Sequence, residues 1–120
     1  MKERRKDMDN SPKTLWIKRQ FLEEILAGRK TVEVRVGYRN ILELKPGMTL
    51  MLNDEHEMKI KDVRRYPTFS AMAEAEEADR IVPGMSKGEL VQVLKSLYPP
   101  FKEKLGVLAI ELELPQKQSK

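Results

Sequence analysis

Apolar residues recur along this chain with two spacings, and each spacing predicts a different kind of element. Thr14-Leu15-Trp16-Ile17 reads as a strand, and Phe21, Leu22, Ile25 and Leu26 then follow helical spacing until Gly28 supplies a stop. Thr31–Val36 alternates, so Val32 and Val34 are expected to enter a core while Thr31, Glu33 and Arg35 line the other face. Gly37-Tyr38-Arg39-Asn40 reads as a loop, and a Pro46-Gly47 turn introduces the apolar strand Met48–Leu52. After the turn Asn53-Asp54-Glu55, residues 56–65 alternate through Met58, Ile60 and Val63 and predict the hairpin partner of that strand. Asp62 and the pair Arg64-Arg65 blur its register near the end.

The second half predicts two helices and a last strand. Thr68 or Ser70 can cap a helix through Phe69, Met72 and Ala73, whose outer face carries the acidic residues Glu74, Glu76, Glu77 and Asp79. Beyond a loop at Ile81-Val82-Pro83-Gly84, Ser86 with Glu89 three residues later forms a capping box ahead of the stripe Leu90, Val93, Leu94 and Leu97. Tyr98-Pro99-Pro100 stops that helix. Gly106–Leu114 starts as a continuous apolar run and then alternates, the pattern of a strand buried on both sides before it emerges. Five or six strands with about three helices predict an α+β fold, a small mixed barrel decorated on its outside.

Length and composition narrow the picture. At 120 residues the chain is one domain, read as a flexible polar tail over 1–13, the domain over 14–114 and a second polar tail over 115–120. No stretch approaches the roughly 18 continuous apolar residues of a membrane span, and no apolar segment follows the basic N-terminus, so no membrane association and a cytoplasmic location are expected. There is no cysteine, which excludes disulfides, thiolate metal sites and cysteine nucleophiles. His56 stands alone beside Asp54, Glu55 and Glu57, reads as a solvated turn, and leaves no metal and no cofactor expected. The seven methionines fall at core-like positions such as Met48, Met51 and Met72.

Net charge is +4, from 23 basic and 19 acidic residues, and its distribution says more than its sum. Lys18, Arg19, Arg29, Lys30, Arg35 and Arg39 crowd the first half, which is therefore the expected binding face. Within it, Gly28-Arg29-Lys30-Thr31-Val32-Glu33-Val34-Arg35 packs a lysine, a carboxylate and an arginine where a helix ends and a strand begins. A fixed glutamate beside arginine and lysine suits a ligand with anionic and hydrogen-bond-donating parts, as a nucleotide has.

That run resembles the G-x-K-x-x-E-x-R signature of the ASCH family, with all four signature positions met. The resemblance extends to "ILAGRK", "LKPGMTLML", "RRYPTF" and "LYPPFKEKLGVLAIELE", and so covers about Lys13 to Leu114. It implies a PUA-like β-barrel with a cleft beside it, lined by the signature residues and receiving RNA or a modified nucleoside, in proteins of RNA processing or transcriptional co-regulation. Some members are described as ribonucleases, and one small bacterial branch hydrolyses N4-acetylcytidine with a lysine, a threonine three residues on and a later glutamate. Here Lys30 is retained, Glu33 stands in the threonine's place and Pro83 falls near the glutamate's, while Thr31 remains as a nearby hydroxyl. A carboxylate is a poorer covalent nucleophile than an activated hydroxyl, so binding ranks above hydrolysis.

The candidate nucleic-acid-binding residues are Lys18, Lys30, Thr31, Glu33, Arg35, Tyr38, Arg39, Arg64, Arg65 and Tyr66, with Lys30 and Glu33 catalytic if the protein is a hydrolase. Lys30 is open to two jobs, a phosphate contact or an activated amine. Glu33 can accept from a base amino group, act as a general base, or simply pair with Arg35 or Lys30. Arg35 can grip phosphate or orient Glu33. Tyr38 and Arg39 are expected at the rim of the cleft, and Arg64, Arg65 and Tyr66 combine basic and aromatic character suited to single-stranded RNA. Trp16 is read as a core residue first and as a base-stacking residue second, and Tyr98 as packing at the helix end first, with its hydroxyl reaching the cleft second. A protein-interaction adaptor using the acidic helix around Glu76 and Glu77 is the remaining alternative.

Overall fold

A computed structural model describes residues 13–114; of the segments read as tails, 1–13 and 115–120, all but Lys13, which begins the first strand, lie outside the described residues. Five strands form one sheet in the order β1-β3-β4-β5-β2, which curls into a half-barrel with β1 and β2 as its edges. The strands are β1 Lys13–Leu15, β2 Val32–Val36, β3 Thr49–Leu52, β4 His56–Tyr66 and β5 Val107–Glu113. The helices are α1 Arg19–Leu26, α2 Arg39–Leu42, α3 Phe69–Ala75, α4 Ala78–Ile81 and α5 Lys87–Leu97, and a 3-10 segment spans Pro100–Leu105. The α+β class and the barrel-like sheet hold. The number of helices is larger than the three expected, because α2 and α4 are four-residue turns too short to show any apolar period.

β1 runs parallel to β3, and every other pairing is antiparallel. The hairpin of β3 and β4 turns at Asn53 and Asp54, both with positive φ, which these two residue types tolerate better than most. The blurred register of residues 56–65 has a physical cause: the ladder of β4 with β5 slips between Ile60 and Asp62, a bulge that carries the inward position from Ile60 to Val63.

Both faces of the sheet are covered. On one face, Leu22 and Ile25 of α1 pack with Leu50, Leu52, Met58, Ile60, Leu108, Ile110 and Leu112. On the other face, Val32, Val34 and Val36 of β2 and Val107 and Ala109 of β5 meet Phe69 and Met72 of α3, Ile81 of α4, and Leu90 and Leu94 of α5. β5 is thus buried on both sides, which is why its sequence opens as an unbroken apolar run. Thr68 caps α3, its hydroxyl accepting from Ala71 N–H, and the capping box of Ser86 and Glu89 starts α5 as the spacing predicts. Of the methionines expected in the core, Met72 is fully buried, while Met48 and Met51 are half-buried.

Gly37 closes β2 against the 3-10 segment, where a Cβ would run into the backbone carbonyl oxygen of Leu105. Gly37→Ala is expected to lower stability by about 1–3 kcal/mol, since a backbone atom cannot swing aside as a side-chain tip does. A denaturation midpoint equal to that of the wild type would show that the two segments can part freely.

Candidate functional site

A cavity of about 280 Å³ opens along the outer edge of β2, between the segment that joins β1 to α1 and the face of α5. Such a volume lies at the small end for ligand pockets. One wall is Trp16, Ile17, Lys18 and Phe21; the other is Leu90, Val93, Leu94, Leu97 and Tyr98; Lys30, Glu33, Val34 and Arg35 form the floor, with Ile81 and Val82 at one end. In a broader depression outside α5, beside Pro83, Gly84 and Met85, Glu89 caps the helix and the Ser96 hydroxyl donates to Val93 O.

Gly28 takes a positive φ and ends α1, and the chain then turns Lys30 inward ahead of β2. Lys30 is only 4% exposed and Glu33 only 8%. Lys30 Nζ donates to Val32 O at 2.8 Å and to Ile81 O at 2.7 Å, and lies 2.9 Å from Glu33 Oε1. Three acceptors occupy its three N–H groups. Glu33 Oε2 accepts from Arg35 Nε at 2.6 Å, and Arg35 Nη2 donates to Trp16 O at 2.8 Å. The signature residues therefore form one continuous chain of buried charge that ties β2 to α4 on one side and to the wall of the cleft on the other. Arg35 keeps three of its five N–H donors unassigned. The same wall is clamped by Asn53, whose side chain accepts from Ile17 N–H at 2.7 Å and donates to Ile17 O at 2.9 Å.

At the far end, burial pushes the pKa of the Tyr98 hydroxyl up, Arg35 draws it down, and Glu33 and Tyr38 raise it. Tyr98 also stacks at a tilt on Phe69, with ring centres 5.8 Å apart. Trp16 is 63% exposed and lines the cleft, so the core role first expected of it is overturned. The physical reason is that β1 ends at Leu15, and the chain releases the indole from the sheet before α1 begins. Val93 and Leu97, part of the helical stripe, are 37% and 61% exposed and line the cleft. An apolar stripe wider than Leu90 and Leu94 need was the signal for them.

The other sequence candidates divide. Lys18 lines the cleft and has no ion pair among the described residues. Thr31 does not line it, and its hydroxyl is buried with no partner among the described residues. Tyr38 and Arg39 are exposed outside the lining, although Tyr38 is close enough to act electrostatically on Tyr98, and Lys102 sits 4.9 Å from its ring. Arg64, Arg65 and Tyr66 belong to β4, from which β5 separates the cleft strand. Arg64 is held by Glu76, Asp62 and Glu111, and the Tyr66 hydroxyl donates to Glu76. Arg65 Nη2 donates to Leu105 O at 3.2 Å.

Of the acidic residues, Glu74, Glu77 and Asp79 are exposed as expected, with Glu74 beside Lys87 and Glu77 beside Arg80, while Glu76 turns inward to Arg64. His56 begins β4 rather than sitting in a turn. Among the described residues no group of histidine, aspartate and glutamate side chains is arranged to hold a metal ion, and no helix is long and apolar enough to cross a membrane.

The fold and the cleft define a class, a curled-sheet domain with a ligand-sized groove at its open edge and a Lys-Glu-Arg relay in the floor. The chain belongs to the ASCH domain family, whose model matches residues 15–116. It is similar to the crystal structure of hypothetical protein PH0355, with 31% identity and a TM-score of 0.81 over 86% of this chain and 98% of that one. It is also similar to the solution structure of protein PF0455 from Pyrococcus furiosus, with 30% identity and a TM-score of 0.74 over 89% of this chain and 100% of that one. No curated protein matches the chain.

Proposed function

We propose that this ASCH domain binds RNA, or a nucleotide of it, in the cleft along β2, in the cytoplasm. The observation that carries the reading is the join of two surfaces: apolar and aromatic walls that include Trp16 and Tyr98, above a floor where Arg35 retains free donors. Aromatic walls accept the face of a base, and Arg35 with Lys18 supplies positive charge for a phosphate. Lys30 acts through the other two signature residues: with its three donors engaged, it holds Glu33, and Glu33 holds Arg35. The same saturation favours binding over hydrolysis, since neither an unengaged amine nor an unpaired carboxylate faces the ligand.

The test is fluorescence anisotropy of a labelled mixed-sequence single-stranded RNA with wild type and Arg35→Gln at two salt concentrations, the RNA being run on a gel afterwards. Binding is expected to weaken about tenfold in the variant, with a shallower salt dependence, and the RNA to stay intact. Equal affinity and slope in a folded variant would place the site elsewhere, and cut RNA would make the protein a nuclease.

A further inference from the structure

The floor of the cleft is a strand edge, and the geometry of the ladder decides which backbone groups it offers. β2 has β5 as its one neighbour in the sheet. Leu112 N–H donates to Thr31 O at 2.8 Å at one end of this pairing, and Gly37 N–H donates to Gly106 O at 2.9 Å at the other. With the register Val32↔Glu111 and Val36↔Val107, these two bonds place Thr31, Glu33, Arg35 and Gly37 at the bonded positions. Val32, Val34 and Val36 then turn their backbone N–H and C=O away from β5, toward the cleft.

Two carbonyls of that outward edge are occupied. Lys30 Nζ takes the carbonyl of Val32 at 2.8 Å, and Tyr38 N–H takes the carbonyl of Val36, also at 2.8 Å. Val34 lies between them, lines the cleft, and among the described residues has no strand, loop or side chain bonded to either outward group. Val34, with both outward groups open, is thus framed by Lys30, Tyr98 and two apolar walls.

We propose that the backbone N–H and C=O of Val34 bind the donor–acceptor edge of a single nucleobase, whose face is covered by Trp16. This rests on the reading of the cleft as an RNA or nucleotide site. Each nucleobase presents a ring or exocyclic N–H next to an acceptor on its Watson–Crick edge, the same adjacent pair that a partner strand presents to an edge residue. An extended peptide is the other natural occupant of a strand edge, but strand addition draws on several outward residues in turn. Here the carbonyls of both flanking residues are already engaged and the space is about 280 Å³, which favours one planar base over a strand. The recognising groups belong to the main chain, so no side-chain motif encodes them.

The experiment uses the full chain and Trp16, its only tryptophan, as the reporter. Quenching is titrated with the four nucleoside 5′-monophosphates, with their analogues methylated on the ring nitrogen of the Watson–Crick edge, and with the blocked tripeptide acetyl-Val-Thr-Val-amide. The titrations are repeated on a protein in which α-hydroxyvaline replaces Val34, an amide-to-ester change that deletes that N–H, weakens the Glu33 carbonyl as an acceptor from β5 and leaves the ladder's donors in place. At least one monophosphate is expected to bind, to bind about tenfold more weakly to the ester protein, and to lose affinity on methylation by the same factor in both proteins or less in the ester. Equal affinity of the wild-type and ester proteins overturns the inference while leaving the cleft a nucleotide site. RNA binding with no response to any monophosphate also overturns it, as does tighter binding of the tripeptide. Failure of both RNA and monophosphates to bind the wild type sinks the reading on which it rests.

Discussion

Lys30→Ala is expected to unfold the domain more readily than it impairs any ligand contact, with a loss of about 3–5 kcal/mol, because removing one partner of a buried pair leaves the other charge uncompensated. Glu33 would lose the ammonium at 2.9 Å, and the carbonyls of Val32 and Ile81 would lose their donor in a place closed to water. Since Ile81 belongs to α4 and Val32 to β2, the loss loosens the packing between them as well as the charge chain. The double variant Lys30→Met with Glu33→Gln is expected to recover part of the loss, as replacing a whole buried pair by neutral groups costs less than breaking it. Urea denaturation of the three proteins reads this directly. A Lys30→Ala protein as stable as wild type but unable to bind RNA would instead make Lys30 a ligand contact.

The second large effect is expected at Arg64, far from the cleft. Its guanidinium meets Glu76 through two bonds, Nε to Oε2 at 2.6 Å and Nη2 to Oε1 at 2.8 Å, and Nη1 bonds both Asp62 and Glu111 at 2.8 Å. Glu76 has a side chain only 7% exposed, so it depends on that partner. Arg64→Met is expected to cost about 2–3 kcal/mol, less than Lys30→Ala because Arg64 is partly open to water. A loss under about 1 kcal/mol would mean that water replaces the guanidinium.

The same cluster predicts an acid dependence. Hydrogen bonds from Arg64 first of all hold Glu76 below its ordinary 4.5 and Asp62 below its ordinary 3.8. The unfolded chain therefore takes up these protons at higher pH than the folded one does, so stability rises with pH across that range. The contribution is full above the ordinary carboxylate values and disappears as pH falls through the depressed ones. Wild type is expected to lose stability steadily below about pH 5, and Arg64→Met to show a shallower slope over the same interval. Parallel slopes in the two proteins would assign the acid sensitivity to other carboxylates.

Burial, local pairing and chain order explain how differently the two halves of the problem were legible. Hydrophobic spacing is a local property, so α1, α3, α5, the hairpin of β3 and β4 and the doubly buried β5 can all be read from residues a few positions apart. The one-turn helices α2 and α4 carry no such period. At the site, the signature residues 28–35 are contiguous, and their convergence on one floor follows from a helix stop and a short strand. Arg64 and Tyr66 look like the same chemistry in sequence, but strand order inserts β5 between them and the cleft, and α3 brings Glu76 to neutralise them. Nothing in a linear pattern distinguishes a basic strand end that meets solvent from one that meets a buried carboxylate.

The sequence by itself determined the α+β class, most of the elements, the family and the Lys30-Glu33-Arg35 floor, because each depends on spacing along one stretch of chain or on a contiguous motif. Only the tertiary structure decided that Lys30 is a support saturated by Val32, Ile81 and Glu33, and that Trp16, Val93 and Leu97 form the walls of the cleft. It alone left the Val34 edge open. Those outcomes depend on which groups from distant segments arrive first at each donor and acceptor, and on which strand of the curled sheet is left without a neighbour.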